Sequence, residues 1–145
     1  MGRPLRVLHL PTTVGGNPHG LVRAERSLGL DSRSWTLIQN YLDYPTDRTI
    51  SQGGFIKTEW LRWGAAWQSL RNYDVLHYNF GSSLLMQRVK TEGQCHAWAR
   101  RSLNGLYAGR TELLDAVIAA KLGRIVCVTY QGDDARQGDY CRDNY

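Results

Sequence analysis

The chain alternates short apolar runs with longer amphipathic stretches. Leu5 to Leu10 is the first run; it stops at Pro11 and predicts a buried strand. Leu21, Val22, Ala24 and Leu28 then recur at helical spacing. They predict a helix from Pro18 to Leu28, with Pro18 tolerated at its start and Gly29 as its stop. Ser34 to Gln39, SWTLIQ, predicts a second strand, half-polar and nearer an edge. Residues 40–54 read as loop, punctuated by Pro45 and the Gly53-Gly54 pair. Phe55 to Leu70 predicts a helix whose Trp60, Trp63, Trp67 and Leu70 form one stripe, expected to face the core. Tyr73 to Gly81 predicts a third strand. Thr111 to Leu122 predicts a helix with Thr111 as N-cap and Gly123 as C-terminal glycine. Arg124 to Tyr130 predicts a fourth strand, and its unbroken apolar run implies helices on both faces. No internal repeat or low-complexity segment interrupts this order.

Strands alternating with helices predict an α/β fold: a Rossmann-like parallel sheet flanked by helices, with right-handed crossovers. A length of 145 residues predicts one domain, 1–145. The polar tail QGDDARQGDYCRDNY follows the last strand, where a doubly wound domain usually continues with another helix and strand. The domain therefore reads as truncated.

Composition narrows this picture only a little. With 42% hydrophobic and 21% charged residues, the chain has enough apolar side chains for a core. A net charge of +5 favours anionic partners without choosing among them. Cys95, Cys127 and Cys141 form no CxxC, so neither a disulfide framework nor a zinc site is expected. Cys127, inside an apolar run, reads as a small core residue, and the compartment as a reducing cytoplasm. The N-terminal apolar run is too short for a signal peptide, and no stretch approaches the length of a spanning helix.

Ligands of open α/β sheets bind outside the carboxyl ends of the strands, so the residues after each strand carry the candidate chemistry. After the first strand come Thr12, Thr13, Gly15, Gly16, Asn17 and His19. The third ends in His77, Asn79 and Gly81, and the fourth in Gln131, Gly132, Asp133 and Asp134. In the third strand Val75, His77 and Asn79 share one face. His77 and Asn79 read either as ligands for a sugar hydroxyl or phosphate, or as a satisfied core histidine with a turn asparagine. Gly15-Gly16 before a helix start offers free N–H donors and the positive end of a dipole, which suits an anion, or forms a plain turn. The spacing is neither GxGxxG nor a P-loop. Asp133 and Asp134 read as general base, hydroxyl acceptor or helix N-caps, and no acidic cluster beside them supports a metal.

At these three corners the sequence resembles the N-terminal half of a GT-B fold glycosyltransferase of the GT4 kind. The pieces that carry the resemblance are the Gly15-Gly16 loop with its helix, YDVLHYNFG, and RIVCVTYQGDDAR, which looks like that family's strand running into a His-Gly-acidic motif. The resemblance spans nearly the whole chain in element order. It implies two Rossmann-like domains facing a cleft, of which this is the acceptor side, moving a sugar (a hexosyl group) from a nucleotide sugar to a hydroxyl acceptor. It implies no cofactor beyond the nucleotide-sugar co-substrate, and no metal. By the same likeness Gly15, Gly16 and Asn17 approach the donor diphosphate. His19, His77, Asn79, Gln131 and Gly132 line the acceptor side, and Asp133 or Asp134 orients or deprotonates the acceptor hydroxyl. Gln131 stands where the family often has histidine, and glutamine does not titrate. The C-terminal donor domain and its Glu-x7-Glu-type motif are absent, so the isolated chain is expected to be inactive.

Two other readings compete. One is a stand-alone Rossmann-like module that holds a nucleotide or sugar without catalysis. The other is a nucleic-acid-binding domain, but the basic residues are spread widely and no reading motif occurs, so no specific nucleic acid is expected. Residues 82–110 carry Arg88, Lys90, Arg100, Arg101 and Arg110 against Glu92, with Leu84, Leu85, Met86, Trp98, Leu103, Leu106 and Tyr107 interleaved. That segment reads as a peripheral contact with the anionic inner face of a membrane, or as a solvated helix packing one face on the sheet.

Overall fold

Two glycines end two helices in the same way and feed two strands. The computed structural model describes residues 3–12, 16–39, 44–50, 55–79, 81–85 and 106–130. Its elements are β1 (Arg6–Leu10), α1 (Asn17–Ser27), β2 (Asp31–Thr36), β3 (Arg48–Thr49), α2 (Phe55–Asn72), β4 (Val75–Asn79), α3 (Leu114–Lys121) and β5 (Ile125–Thr129). At the end of α1, Gly29 takes φ 84°. There the Gly29 N–H donates to Arg26 O and the Leu30 N–H to Glu25 O. At the end of α3, Gly123 takes φ 72°, and its N–H and that of Arg124 donate to Ala120 O and Ala119 O. Both are Schellman ends, in which a left-handed residue lets two amides satisfy the last carbonyls.

The five strands form one all-parallel sheet in the order β3-β2-β1-β4-β5. The Rossmann-like α/β architecture is thus the one the alternating pattern predicts. Val7, Leu8 and His9 lie opposite Val75, Leu76 and His77. Leu8, Leu10, Leu76 and Tyr78 pack on Ala65, Ala66 and Leu70 of α2 and Ala119 of α3, and Trp35 and Ile50 extend that core. α1 covers the other face of β1 and β2, over buried His9, Ser32, Ser34 and Thr36.

Several details correct the sequence reading. The second strand starts at Asp31 and ends at Thr36, earlier than predicted. Its small buried serines belong to a strand lying under a helix, which polarity alone disguises. The stretch read as loop contains β3, two residues long and too short to show periodicity. The tryptophan stripe faces outward: Trp60 is 77% exposed and Trp67 61%. Of the predicted stripe Leu70 alone is buried, and α2 buries it together with the smaller Ala65, Ala66 and Ser69 against the bulky Leu, Tyr and Trp side chains of the sheet. Trp63 Nε1 donates to Tyr107 Oη, and the Arg71 guanidinium lies 5.3 Å from the Trp67 ring centre.

Thr111 is not an N-cap. It lies in a helical stretch, 106–111, and its hydroxyl donates to Tyr107 O, while Leu113 at φ 57° precedes α3. β5 is an edge strand, and among the described residues helices do not cover both its faces: Ile125, Cys127 and Val128 are exposed. Cys127 is therefore not a core residue. Leu84 and Leu85 are buried, so these two members of the 82–110 segment belong to the core. Residues 86–105, with Arg88, Lys90, Arg100 and Arg101, lie outside the described residues. No helix among the described residues is long and apolar enough to cross a membrane.

Candidate functional site

In a parallel sheet all carboxyl ends lie on one edge, and here β1, β4 and β5 are adjacent. Asn79 fastens two of those ends: its Nδ2 donates to Leu10 O at 3.3 Å. The side chain is buried, and its Oδ1 has no hydrogen-bond partner among the described residues. Asn79 therefore sits behind the edge rather than on its open rim.

Next along the edge is the β1–α1 corner. Gly16 caps α1 at φ 70°, with no side-chain cap and no acid in the first turn. A side-chain cap and a first-turn acid are the groups that usually neutralise a helix start, and among the described residues α1 has neither. A Cβ on Gly16 would come within 2.9 Å of the Tyr44 ring. The dihedral favours glycine here, and the ring would have to move aside for any side chain. Asn17 opens the helix, and His19 lies half-buried within its first turn. Gly15, Gln131, Gly132, Asp133 and Asp134 lie outside the described residues.

His77 does not stand alone. Its Nδ1 lies 2.9 Å from Nδ1 of His9, across the paired strands. The Nε2 of His9 lies 2.8 Å from Glu25 Oε2, on α1. At the other end His77 Nε2 forms a short hydrogen bond with Thr129 Oγ1 on β5. Four side chains from α1, β1, β4 and β5 thus form one unbroken line across the sheet. His9 is fully buried, Glu25 is partly exposed, and His77 and Thr129 are half-buried. Burial holds the His77 imidazole below its ordinary pKa of 6.5, and His9 lowers it further while Glu25 opposes the drop.

The proton positions follow from the partners. An ionised Glu25 accepts from His9 Nε2–H. A neutral His9 then presents an Nδ1 lone pair, which accepts from His77 Nδ1–H. A neutral His77 in turn presents an Nε2 lone pair, which accepts from the Thr129 hydroxyl. This is the hydroxyl–imidazole–carboxylate order of acid–base machinery, lengthened by one imidazole.

The sequence reading picked out His77 but missed His9, Glu25 and Thr129. One signal for His9 is present: Val-Leu-His occurs twice, at Val7–His9 and Val75–His77, and the two copies pair in register. Glu25 carries no such signal, because only the packing of α1 brings it to the strand.

A second buried polar group holds the segment after β4. Asp115 Oδ2 accepts from the Leu84 N–H at 3.0 Å and from the Tyr78 hydroxyl at 3.2 Å. Arg62 Nε donates to Leu84 O at 2.7 Å, and its Nη1 to Glu59 Oε1. Burial raises the pKa of both the Asp115 carboxyl and the Tyr78 hydroxyl, and for Tyr78 the Asp115 charge adds to the rise. These groups dock residues 83–85 on the sheet and lie on the α2–α3 face, away from the histidine line.

No group of three or more histidine, cysteine, aspartate or glutamate side chains among the described residues could hold a metal ion. No family model, curated protein or solved structure matches this chain.

Proposed function

We propose that this chain is the acceptor-side domain of a GT-B-type glycosyltransferase, which moves a sugar from a nucleoside-diphosphate sugar to a hydroxyl acceptor. The observation that carries the reading is one sheet edge holding two complementary features. Gly16 starts α1 with neither a side-chain cap nor an acid in its first turn, and the His77 line ends at a hydroxyl-bearing residue. The first suits a departing diphosphate, whose growing charge fixed amides stabilise. The second suits an acceptor hydroxyl that must lose its proton. Asp133 and Asp134 would help to orient that hydroxyl. Most of the donor would be held by a second domain, so the reading requires a partner domain beyond these 145 residues.

We place the protein in the cytoplasm. Exposed Leu106, Tyr107 and Arg110 support a peripheral contact with anionic lipid at the end of the 82–110 segment. Co-sedimentation with anionic but not neutral vesicles is expected; equal behaviour with both removes that contact.

The transferase reading is tested on the ¹⁵N-labelled chain by NMR. UDP-glucose and GDP-mannose serve as nucleotide probes, and methyl glucoside as the hydroxyl probe. A nucleotide probe is expected to move the Gly16 amide and the first turn of α1, and the hexoside the His77 ring. Silence at both places overturns the reading. A strong nucleotide response without a hexoside response favours the stand-alone binding module instead.

A further inference from the structure

We infer that Glu25, His9, His77 and Thr129 form a proton relay across the sheet, which takes the proton of a substrate hydroxyl at Thr129 Oγ1 and stores it on the histidine pair beside Glu25. The inference rests on the reading of this edge as an acceptor-hydroxyl site, and it names the groups that handle the proton.

The geometry demands a concerted arrangement. Two Nδ1 atoms 2.9 Å apart need one proton between them. Which ring carries it is tied to Glu25 at one end and to Thr129 at the other. With the pair neutral, every donor in the line points toward Glu25, and the outermost atom, Thr129 Oγ1, keeps lone pairs free to accept. One added proton makes every step of the line move together. The substrate O–H breaks and its proton passes to Thr129 Oγ1. The Thr129 proton passes to His77 Nε2, and the His77 Nδ1 proton to His9 Nδ1. The substrate oxygen keeps its bonding pair and forms the bond to the sugar carbon, while the nucleoside diphosphate leaves with the pair of the bond that breaks. The positive charge comes to rest on His9, 2.8 Å from the Glu25 carboxylate.

Burial favours this use. His9 is shut off from water, so a proton reaches it only through a hydrogen-bonded partner. Thr129 is the last residue of β5, half-buried beside exposed Tyr130, at the edge where ligands of such sheets bind. The titratable groups facing His77 among the described residues are His9 from β1, Glu25 from α1 and Cys127, its register partner on β5.

Histidine ¹⁵N NMR over a pH series on the full chain tests the relay. At neutral pH His77 is expected to carry its proton on Nδ1 and His9 on Nε2. E25Q keeps the hydrogen-bond acceptor but removes the charge, so the His77 titration should move to lower pH. H9Q removes the neighbouring imidazole, so it should move to higher pH. T129V should shift the His77 Nε2 resonance, and T129S should restore it. His77 protonated on Nε2 in its neutral form overturns the relay, as does a His77 titration unchanged in E25Q. Should H9Q fail to fold, E25Q and T129V still decide. The two readings fail separately. A wrong tautomer with a Gly16 response to UDP-glucose sinks the relay and spares the transferase. The expected tautomers, with silence to both the nucleotides and the hexoside, spare the proton line and sink its use on a hydroxyl substrate.

Discussion

Gly16 is the residue whose replacement separates backbone strain from crowding. At φ 70° an L side chain costs about 1–2 kcal/mol. The Tyr44 ring, 2.9 Å from a built Cβ, is the end of a side chain that can swing away. The dihedral term is therefore the larger, and G16A is expected to lose about 1–2 kcal/mol in urea unfolding. Most of that loss should persist in a Y44A background; full recovery there would assign it to the ring. Asp115 poses the opposite case. D115A orphans the buried Leu84 N–H and Tyr78 hydroxyl and should cost about 1–3 kcal/mol. D115N keeps an acceptor for both and carries no charge. Because burial raises the folded pKa above 3.8, the wild type is penalised as pH rises above that value, and the penalty disappears in acid. D115N should therefore match or exceed wild-type stability at neutral pH and lose that advantage toward pH 3. Neither Tyr44 beside Gly16 nor Tyr78 beside Asp115 was legible in the sequence, since both contacts join residues far apart in the chain.

At the scale of elements, what the sequence made legible were features with a local cause. Gly29 and Gly123 read as helix stops because a left-handed end needs glycine, and both serve so. Short apolar runs, half-polar in the case of β2, gave four of the five strands described. β3 was missed because two residues show no period, and the backbone bonds to Ser34 O and Thr36 O are helped by a side chain that polarity does not single out. Asp47, just before β3, accepts from the Ser34 N–H and from Arg26 Nη2 through both oxygens. Burial alone would raise the Asp47 pKa, but Ser34 and Arg26 outweigh it and hold it below 3.8. D47A should loosen the β2–β3 edge and the end of α1 together, at about 1–2 kcal/mol for a partly exposed pair. Hydrogen exchange at β3 and at Ser34 is the measurement; protection unchanged at both would show that Asp47 does not hold this corner. The tryptophans of α2 failed for a different reason. Periodicity finds a stripe, but only the bulk of the sheet decides which side of a helix fits it.

The whole molecule should respond to acid in two steps. The folded pKa of His77 lies below 6.5, so the unfolded chain binds its proton first as pH falls. The contribution is fully present above 6.5 and is lost as pH drops from there through the folded value. Asp47 and Asp74 lie below 3.8, Asp74 chiefly through the Arg6 N–H and its arginine neighbours. Their contribution is present above 3.8 and is lost as pH falls through their folded values. Urea unfolding from pH 8 to 3 in a D115N background, which removes the opposing gain of Asp115 in acid, should show both losses, and H77Q should remove only the first. A single acid transition, unchanged in H77Q, would contradict the coupling. The α/β class was legible at this scale because it needs only the alternation of elements. The histidine line was half legible: the doubled Val-Leu-His stood in the sequence, and the sheet order that pairs the copies did not.

Cys127 turns the open face of β5 into a place for a reporter. It is exposed, and its strand partner is His77, so the two side chains share one face of the sheet. A fluorophore attached to that thiol would sit beside the line without replacing any of its four members. Once Cys95 and Cys141 are changed to serine, its emission and the speed of its attachment become an optical gauge of what comes and goes at the edge, readable in a cuvette and without isotopes.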